Sequence, residues 1–181
     1  MASLDNTSKL QVVQERRLLA ESGVISYASL LPVIEKLTQE SSYLVVSAVS
    51  SILQGLSLFV DEGSEVEAAY KALLVTFNHF NFDRLGFEPK AGEADEDEMV
   101  RQLVIANMIK GDDAGASAKA SEIYAAHADN ISKLPAAIRL QILINQIKHH
   151  ESKELTDLYL TTYAQATDGN FKRQLSTALA Y

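Results

Sequence analysis

Hydrophobic residues in this chain recur at helical spacing, and glycine, proline and acidic clusters cut the pattern into segments of helical length. A first helix is predicted from about Ser8 to Ser22, carrying Leu10, Val13, Leu18 and Ala20 and closed by Gly23. Ser26 is a candidate cap for a second, with Tyr27, Leu30, Leu31, Ile34 and Leu37 on one stripe. Pro32 lacks an N–H and crowds the preceding turn, so a kink or a late start is expected there. Ser41 to Val60 runs for twenty residues without a charge, which is the length of a membrane span. Its serines, Gln54 and Gly55, and the lack of flanking Lys or Arg, favour a buried central helix instead.

A fourth helix is predicted from about Ser64 to Leu85, with Val66, Ala69, Tyr70, Leu73, Leu74 and Phe77 at helical spacing. Gly86 stops it, and Pro89 and Gly92 delay the next start. Asp95 and Glu98 form a D-x-x-E capping box for a helix reaching Lys110, with Gly111 at its end. From Met99 to Ile109 that helix is apolar almost all round, broken by Arg101, Gln102 and Asn107, which suits an interior position. An alanine-rich helix follows from about Ala114 to Ala128, with Ala118, Ile123 and Ala126 available for close packing. Pro135 suits the start of a helix whose face is Ile138, Ile142, Leu143 and Ile147. Glu154 to Thr167 and Asn170 to Tyr181 complete the series, and nothing reads as strand. The starts, taken in pairs, repeat every roughly 35 to 50 residues, the range of helical-hairpin repeats. The predicted fold is all-α, an irregular right-handed solenoid of antiparallel helix pairs of the HEAT or armadillo kind, over residues 1–181 as one helical domain.

Composition narrows the function more than it defines it. The 181 residues suffice for one well-buried domain, and 47% hydrophobic content excludes overall disorder. A net charge of −8, with no basic cluster beyond Arg16-Arg17, argues against nucleic acid as a partner. With no cysteine, disulfides and thiolate metal sites are excluded. The opening Met-Ala-Ser-Leu-Asp lacks the regions of a signal peptide, so a cytoplasmic location with no membrane partner is expected. The N-x-S/T matches at Asn6 and Asn130 are then chance.

Arg84-Leu85-Gly86-Phe87-Glu88-Pro89-Lys90, then Gly92-Glu93, a short acidic gap, and a hydrophobic helix with Arg101 near its start form an ordered motif. This motif resembles the C-terminal helical domain of zinc aminopeptidases of the aminopeptidase N type. Leu4 to Gly23 is similar to that domain's entrance, with Lys9, Gln14 and Glu15 where the family often has Arg, Asn and Asp. Glu40-Ser-Ser-Tyr is similar to the family's Glu-Thr-x-Tyr, although Val45 and Val46 replace a Pro and a Trp. Leu134-Pro135, Arg139, Leu158-Tyr159, Ala166-Thr167-Asp168, Lys172, Leu175 and Ala178-Leu179-Ala180 continue the likeness, while His149-His150 departs from a usual Asn-Gly turn.

The resemblance implies a non-catalytic piece of a larger enzyme. The parent would hold zinc in a separate catalytic domain and remove N-terminal residues from peptides. This domain would form a helical bowl over the active site, limiting peptide access, with its first helices docked on the catalytic domain of the same polypeptide. No cofactor is expected in this chain, since it lacks H-E-x-x-H, the pattern that sets two imidazoles on zinc beside a general base. The histidines, His79, His127, His149 and His150, do not repair this, and the acidic run from Glu93 to Glu98 lacks the features of a calcium loop. No G-x-S-x-G elbow or phosphate loop occurs. The aromatic series at 70, 77, 80, 82 and 87 reads as core.

No catalytic or metal residue is therefore assigned, and the candidate structural anchors are Gly86, Glu93, Asp95 and Arg101. Arg101 has two alternatives: an exposed pair with Asp97 or Glu98, or an inward guanidinium meeting Glu93 or Glu15. The rival function is an independent HEAT-like protein-interaction scaffold. Such a scaffold closes with a polar outer face, whereas Asn170 to Tyr181 offers Phe171, Leu175, Leu179 and Tyr181, so truncation with helices continuing beyond Tyr181 is expected. A small hydrolase would need a convergent polar pocket that the sequence does not contain.

Overall fold

The computed structural model describes residues 4–181; Met1 to Ser3, part of the opening stretch without signal-peptide regions, lie outside the described residues. Nine α-helices and no strand occur among the described residues, as the all-α reading expects. The chain divides into two compact units, the first reaching to Asp112 and the second running Asp113–Tyr181.

In the first unit, α1 (Asn6–Glu21) starts earlier than expected because Asp5 Oδ1 accepts the Ser8 N–H at 2.7 Å. Of its expected apolar face, Val13 and Ala20 are buried, whereas Leu18 is exposed. Pro32 acts as anticipated: a 3-10 turn over Tyr27–Leu30 precedes a short α2 (Leu31–Glu35), with the proline in its first turn, where a missing N–H costs nothing. Of the predicted stripe, Leu30 in the 3-10 turn, Ile34 in α2 and Leu37 just after it are buried.

The uncharged stretch forms α3 (Tyr43–Leu56), which buries Val45, Val46, Val49, Ile52 and Leu53 against α1 and α5 (Asp97–Lys110). Its ends differ from the expected central helix: Leu44 is half exposed, and Leu58 and Phe59 stand in solvent on a 3-10 turn. No helix among the described residues is long and apolar enough to cross a membrane.

α4 (Glu65–Leu85) begins with a reciprocal cap, in which Ser64 Oγ accepts the Glu67 N–H at 3.1 Å and Glu67 Oε2 accepts the Gly63 N–H at 2.6 Å. Its buried face is Tyr70, Leu74, Phe77, Asn78, Asn81 and Leu85, rotated from the predicted one so that Val66 is exposed. α5 is as internal as its pattern suggests, with Val100, Val104, Ile105, Met108 and Ile109 buried, although Met99 faces out. Gly111 ends α5 with an ordinary φ of −77°. It is needed for proximity: a Cβ there would lie 2.8 Å from Val75 Cγ2 and 3.0 Å from the Lys71 carbonyl of α4. The left-handed residue after it is Asp112, with φ +56°.

In the second unit, α6 (Ala114–Ala126) is capped by Asp113 and buries Ala116, Ala120 and Tyr124. The expected Ala118 and Ala126 face solvent, so the helix is rotated about its axis relative to the sequence reading. Pro135 does not open a helix: it lies between a 3-10 turn over Ile131–Lys133 and α7 (Arg139–His150). The predicted face of α7 is buried throughout, at Ile138, Ile142, Leu143 and Ile147. α7 packs on α6 and on α9 (Gly169–Leu179), and α8 (Lys153–Gln165) packs on α9. Phe171 and Leu175 of α9 are core residues of this unit, and Tyr181 is exposed.

Candidate functional site

Gly86 turns the chain off α4 with φ +57° and ψ −155°, a backbone region essentially restricted to glycine. Phe87 then returns to the core, its ring edge-on to Phe82 at 5.9 Å, so the segment joining α4 to α5 is pinned at its start.

Along that segment a polar network ties several elements of the first unit together. Arg101, 3% exposed on α5, donates from Nη2 to Glu93 Oε2. Arg84 Nη1 lies 2.6 Å from Asp97 Oδ1, and Asp97 Oδ2 accepts the Ala94 N–H at 2.9 Å. Arg84 Nη2 also donates to Asn81 Oδ1 at 3.1 Å, and Asn81 Nδ2 donates to the Glu40 carbonyl at 2.7 Å. The Glu40 carboxylate meets Lys9 Nζ at 2.7 Å, bringing in α1. Glu96 Oε2 accepts the Tyr43 N–H at 3.0 Å and so caps α3, whose own Ser42 makes no side-chain cap. Lys90 Nζ closes the segment on the Arg84 carbonyl at 2.7 Å. Buried charge is tolerable here because each acid faces a cation or an N–H. The Arg101 guanidinium holds the Glu93 carboxyl below its usual range. Burial pushes the Asp97 carboxyl up, but Arg84 and the Ala94 N–H outweigh it and leave it below its usual range.

The second unit contains a groove of about 640 Å3 between the 128–132 turn, the C-terminal half of α8 and the start of α9. Its walls carry Asn130, Ser132, Thr161, Thr162 and Gln165 among apolar Leu158 and Phe171, with Asp129 and Asp168 as the acids. Arg139 also lines it and is 8% exposed. Its Nη2 donates to the Ser132 and Leu134 carbonyls at 2.9 and 3.0 Å, and its Nε to Leu134 at 3.2 Å. The guanidinium sits 4.8 Å from the centre of the Phe171 ring, a cation–π contact.

Of the candidate anchors, Gly86 ends α4, and Glu93 and Arg101 are brought together. Asp95 is exposed and caps nothing; the N-cap position falls on Glu96, and Asp97 supplies the oxygen that reaches back. Glu15 stays exposed and bonds Gln11 Nε2 at 2.9 Å on its own helix. Lys9, Glu40, Asn81, Arg84, Glu96 and Asp97 belong to the network without having been singled out as anchors. Lys9, Glu40 and Arg84 stand in the motifs that carry the family resemblance, which was the available signal.

The zinc implied for the parent does not fit this chain: among the described residues no three of His, Cys, Asp and Glu converge on one point. His79 pairs with Asp83 on exposed helix surface at 3.4 Å, and His127 Nδ1 bonds the Ile123 carbonyl at 2.8 Å.

Fold and network define a helical domain whose distinctive residues set geometry. Residues 1–181 match the ERAP1-like C-terminal domain family, and the chain belongs to it. It is similar to aminopeptidase N of Lactococcus lactis subsp. lactis, at 48% identity over 99% of this chain and 21% of that protein. It is also similar to aminopeptidase N of Lactobacillus delbrueckii subsp. lactis, at 38% identity over 97% of this chain and 21% of that protein. The chain thus spans about a fifth of the length of the curated relatives it matches.

Proposed function

We propose that this chain is the non-catalytic C-terminal helical domain of an aminopeptidase N-like zinc metallopeptidase. The observation that carries the reading is its end-to-end match to a C-terminal domain family, joined to 48% identity with an aminopeptidase N. In this reading the zinc and the general base belong to a separate catalytic domain of the same polypeptide, on which the first helices dock. Residues 1–181 form one domain, an irregular right-handed HEAT-like solenoid that covers the active site as a bowl and limits which peptides enter. Gly86, Glu93 and Arg101 hold the joint between α4 and α5, and so the spacing of helices in the wall. The enzyme works in the cytoplasm.

Two measurements test this. The chain alone should not hydrolyse aminoacyl-anilides with or without added zinc, and zinc-stimulated turnover that copurifies with it would overturn the reading. In the full polypeptide, opening the bowl by removing this domain's helices should raise cleavage of long peptides relative to short ones. An unchanged length preference would refute the gating role.

A further inference from the structure

The chain leaves its first compact unit and enters its second at a single peptide bond, and the residues on either side of that bond are anchored differently. Asp112 ends the first unit. It stands at φ +56°, a conformation that costs a non-glycine residue energy, and its Oδ2 holds Lys71 Nζ of α4 at 2.9 Å. Lys71 is bound in turn to Glu67 at 2.6 Å, so this tie runs back along α4. Asp113 begins the second unit. Its Oδ1 accepts the Ala116 N–H at 2.8 Å and its carbonyl accepts the Ser117 N–H at 2.9 Å, both in α6.

The second unit, Asp113–Tyr181, also carries what a small domain needs to hold itself together. Its core is built on Tyr124, Ile142, Leu143, Tyr159, Phe171 and Leu175, all buried. Its buried polar side chains find partners inside it. Arg139 takes the Ser132 and Leu134 carbonyls, and Asn145 Nδ2 donates to Ser117 O at 3.2 Å and Ser121 Oγ at 3.1 Å. Gln174 Nε2 donates to the Ala136 carbonyl at 3.4 Å, and the Tyr159 hydroxyl to the Leu143 carbonyl at 3.3 Å. The unit exceeds the roughly 55–65 residues at which many domains fold alone. A smaller unit buries a smaller fraction of its surface, so its margin of stability is the narrower of the two.

We infer that residues 113–181 form a separate cooperative unit, which opens and closes while α1–α5 stay folded. Proteins open in such contiguous blocks when the packing and hydrogen bonds of a block lie largely within it. The opening is a conformational step built into this chain, and it stands whether or not the reading of the parent enzyme holds.

Hydrogen exchange of the whole native chain, followed by nuclear magnetic resonance at low urea, tests this. Amides of Ile147 in α7 and Leu175 in α9 should converge on one opening reaction as urea rises. Those of Val49 in α3 and Met108 in α5 should converge on another, slower to exchange and steeper in urea, because more surface is exposed. Leu143→Ala should speed exchange at Ile147 and Leu175 by about a hundredfold and leave Val49 and Met108 unchanged; Ile105→Ala should do the reverse. A gentler pair sits at the boundary and does not risk unfolding either unit. Asp113→Ala removes the cap of α6 and should speed Ile147 and Leu175 by about fivefold. Asp112→Ala should speed Val49 and Met108 alone. A variant that loses structure only in its own unit supports the proposal. Acceleration of both sets by any of the four variants, no effect of Asp113→Ala at Leu175, or one opening reaction shared by all four amides would overturn it.

Discussion

Replacing Gly111 by alanine tests how closely α4 and α5 approach. The backbone at Gly111 is at φ −77°, which alanine adopts freely, so no conformational penalty applies. The whole cost is steric: the new Cβ would lie 2.8 Å from Val75 Cγ2, 3.0 Å from Lys71 O and 3.1 Å from Asn107 O. Val75 can rotate, but the two carbonyls belong to helix backbones and cannot yield without moving them. Overpacking of this kind costs about 1–3 kcal/mol. Restricting the unfolded chain returns about 0.4–1 kcal/mol. The net expectation is a loss of about 1–2 kcal/mol. Gly55 within α3 is the control, because a Cβ there meets nothing within 4 Å. Gly55→Ala should therefore stabilise, by about 0.5–1 kcal/mol. Urea unfolding followed by circular dichroism reads both: the midpoint should fall for Gly111→Ala and rise for Gly55→Ala, with the slope unchanged. A raised midpoint for Gly111→Ala would refute the close helix approach.

Gly86→Ala has open space around it but must hold φ +57° and ψ −155°, so a loss of about 1–3 kcal/mol is expected, and a neutral midpoint would mean that the turn relaxes at no cost. Arg101→Ala should lower the urea midpoint well beyond the effect of Arg16→Ala on exposed surface, and equal effects would make Arg101 an ordinary surface charge. Glu93 and Asp97 have folded pKa values below their ordinary 4.5 and 3.8, so their contribution is complete above those values and is lost as pH falls through the lower folded ones. Urea midpoints should accordingly decline in acid, and less steeply in Arg101→Ala, where Glu93 has lost its cation; identical slopes would contradict the pairing.

Helix existence was legible because long amphipathic periods survive any tertiary arrangement. The interrupted second helix was legible at Pro32 for the same local reason. Which face turns inward was less so: eight of the thirteen residues of α6 are alanine or serine, so its sequence barely distinguishes Ala118 from Ala116 or Ala120, and partner helices decide. On α4 the inward face includes Asn78 and Asn81, polar residues that an apolar count passes over. Asn78 Nδ2 turns back to the Leu74 carbonyl at 2.8 Å, and Asn81 reaches Glu40, satisfactions visible only in three dimensions. Within the acidic run 93–98 the sequence assigns capping only to Asp95 and Glu98, as a D-x-x-E box. The run distributes its work instead, with Glu93 on Arg101, Glu96 on α3 and Asp97 on Arg84. Sequence spacing identified Arg101 and left its partner open between candidates that only folding could separate.

The cap on α3 has a consequence for synthesis on the ribosome. Glu96 closes the Tyr43 N–H across 53 residues, and Asn81 reaches back across 41 to the Glu40 carbonyl. A nascent chain released as far as the end of α4 already holds Glu40 and Asn81, but Arg84 awaits Asp97 and the first turn of α3 awaits its acid. Domains fold largely as units as they emerge. A translational pause before residue 96 would therefore hold the first unit with α3 uncapped and α5's apolar partners uncovered, the interval in which a chaperone would be most useful to it.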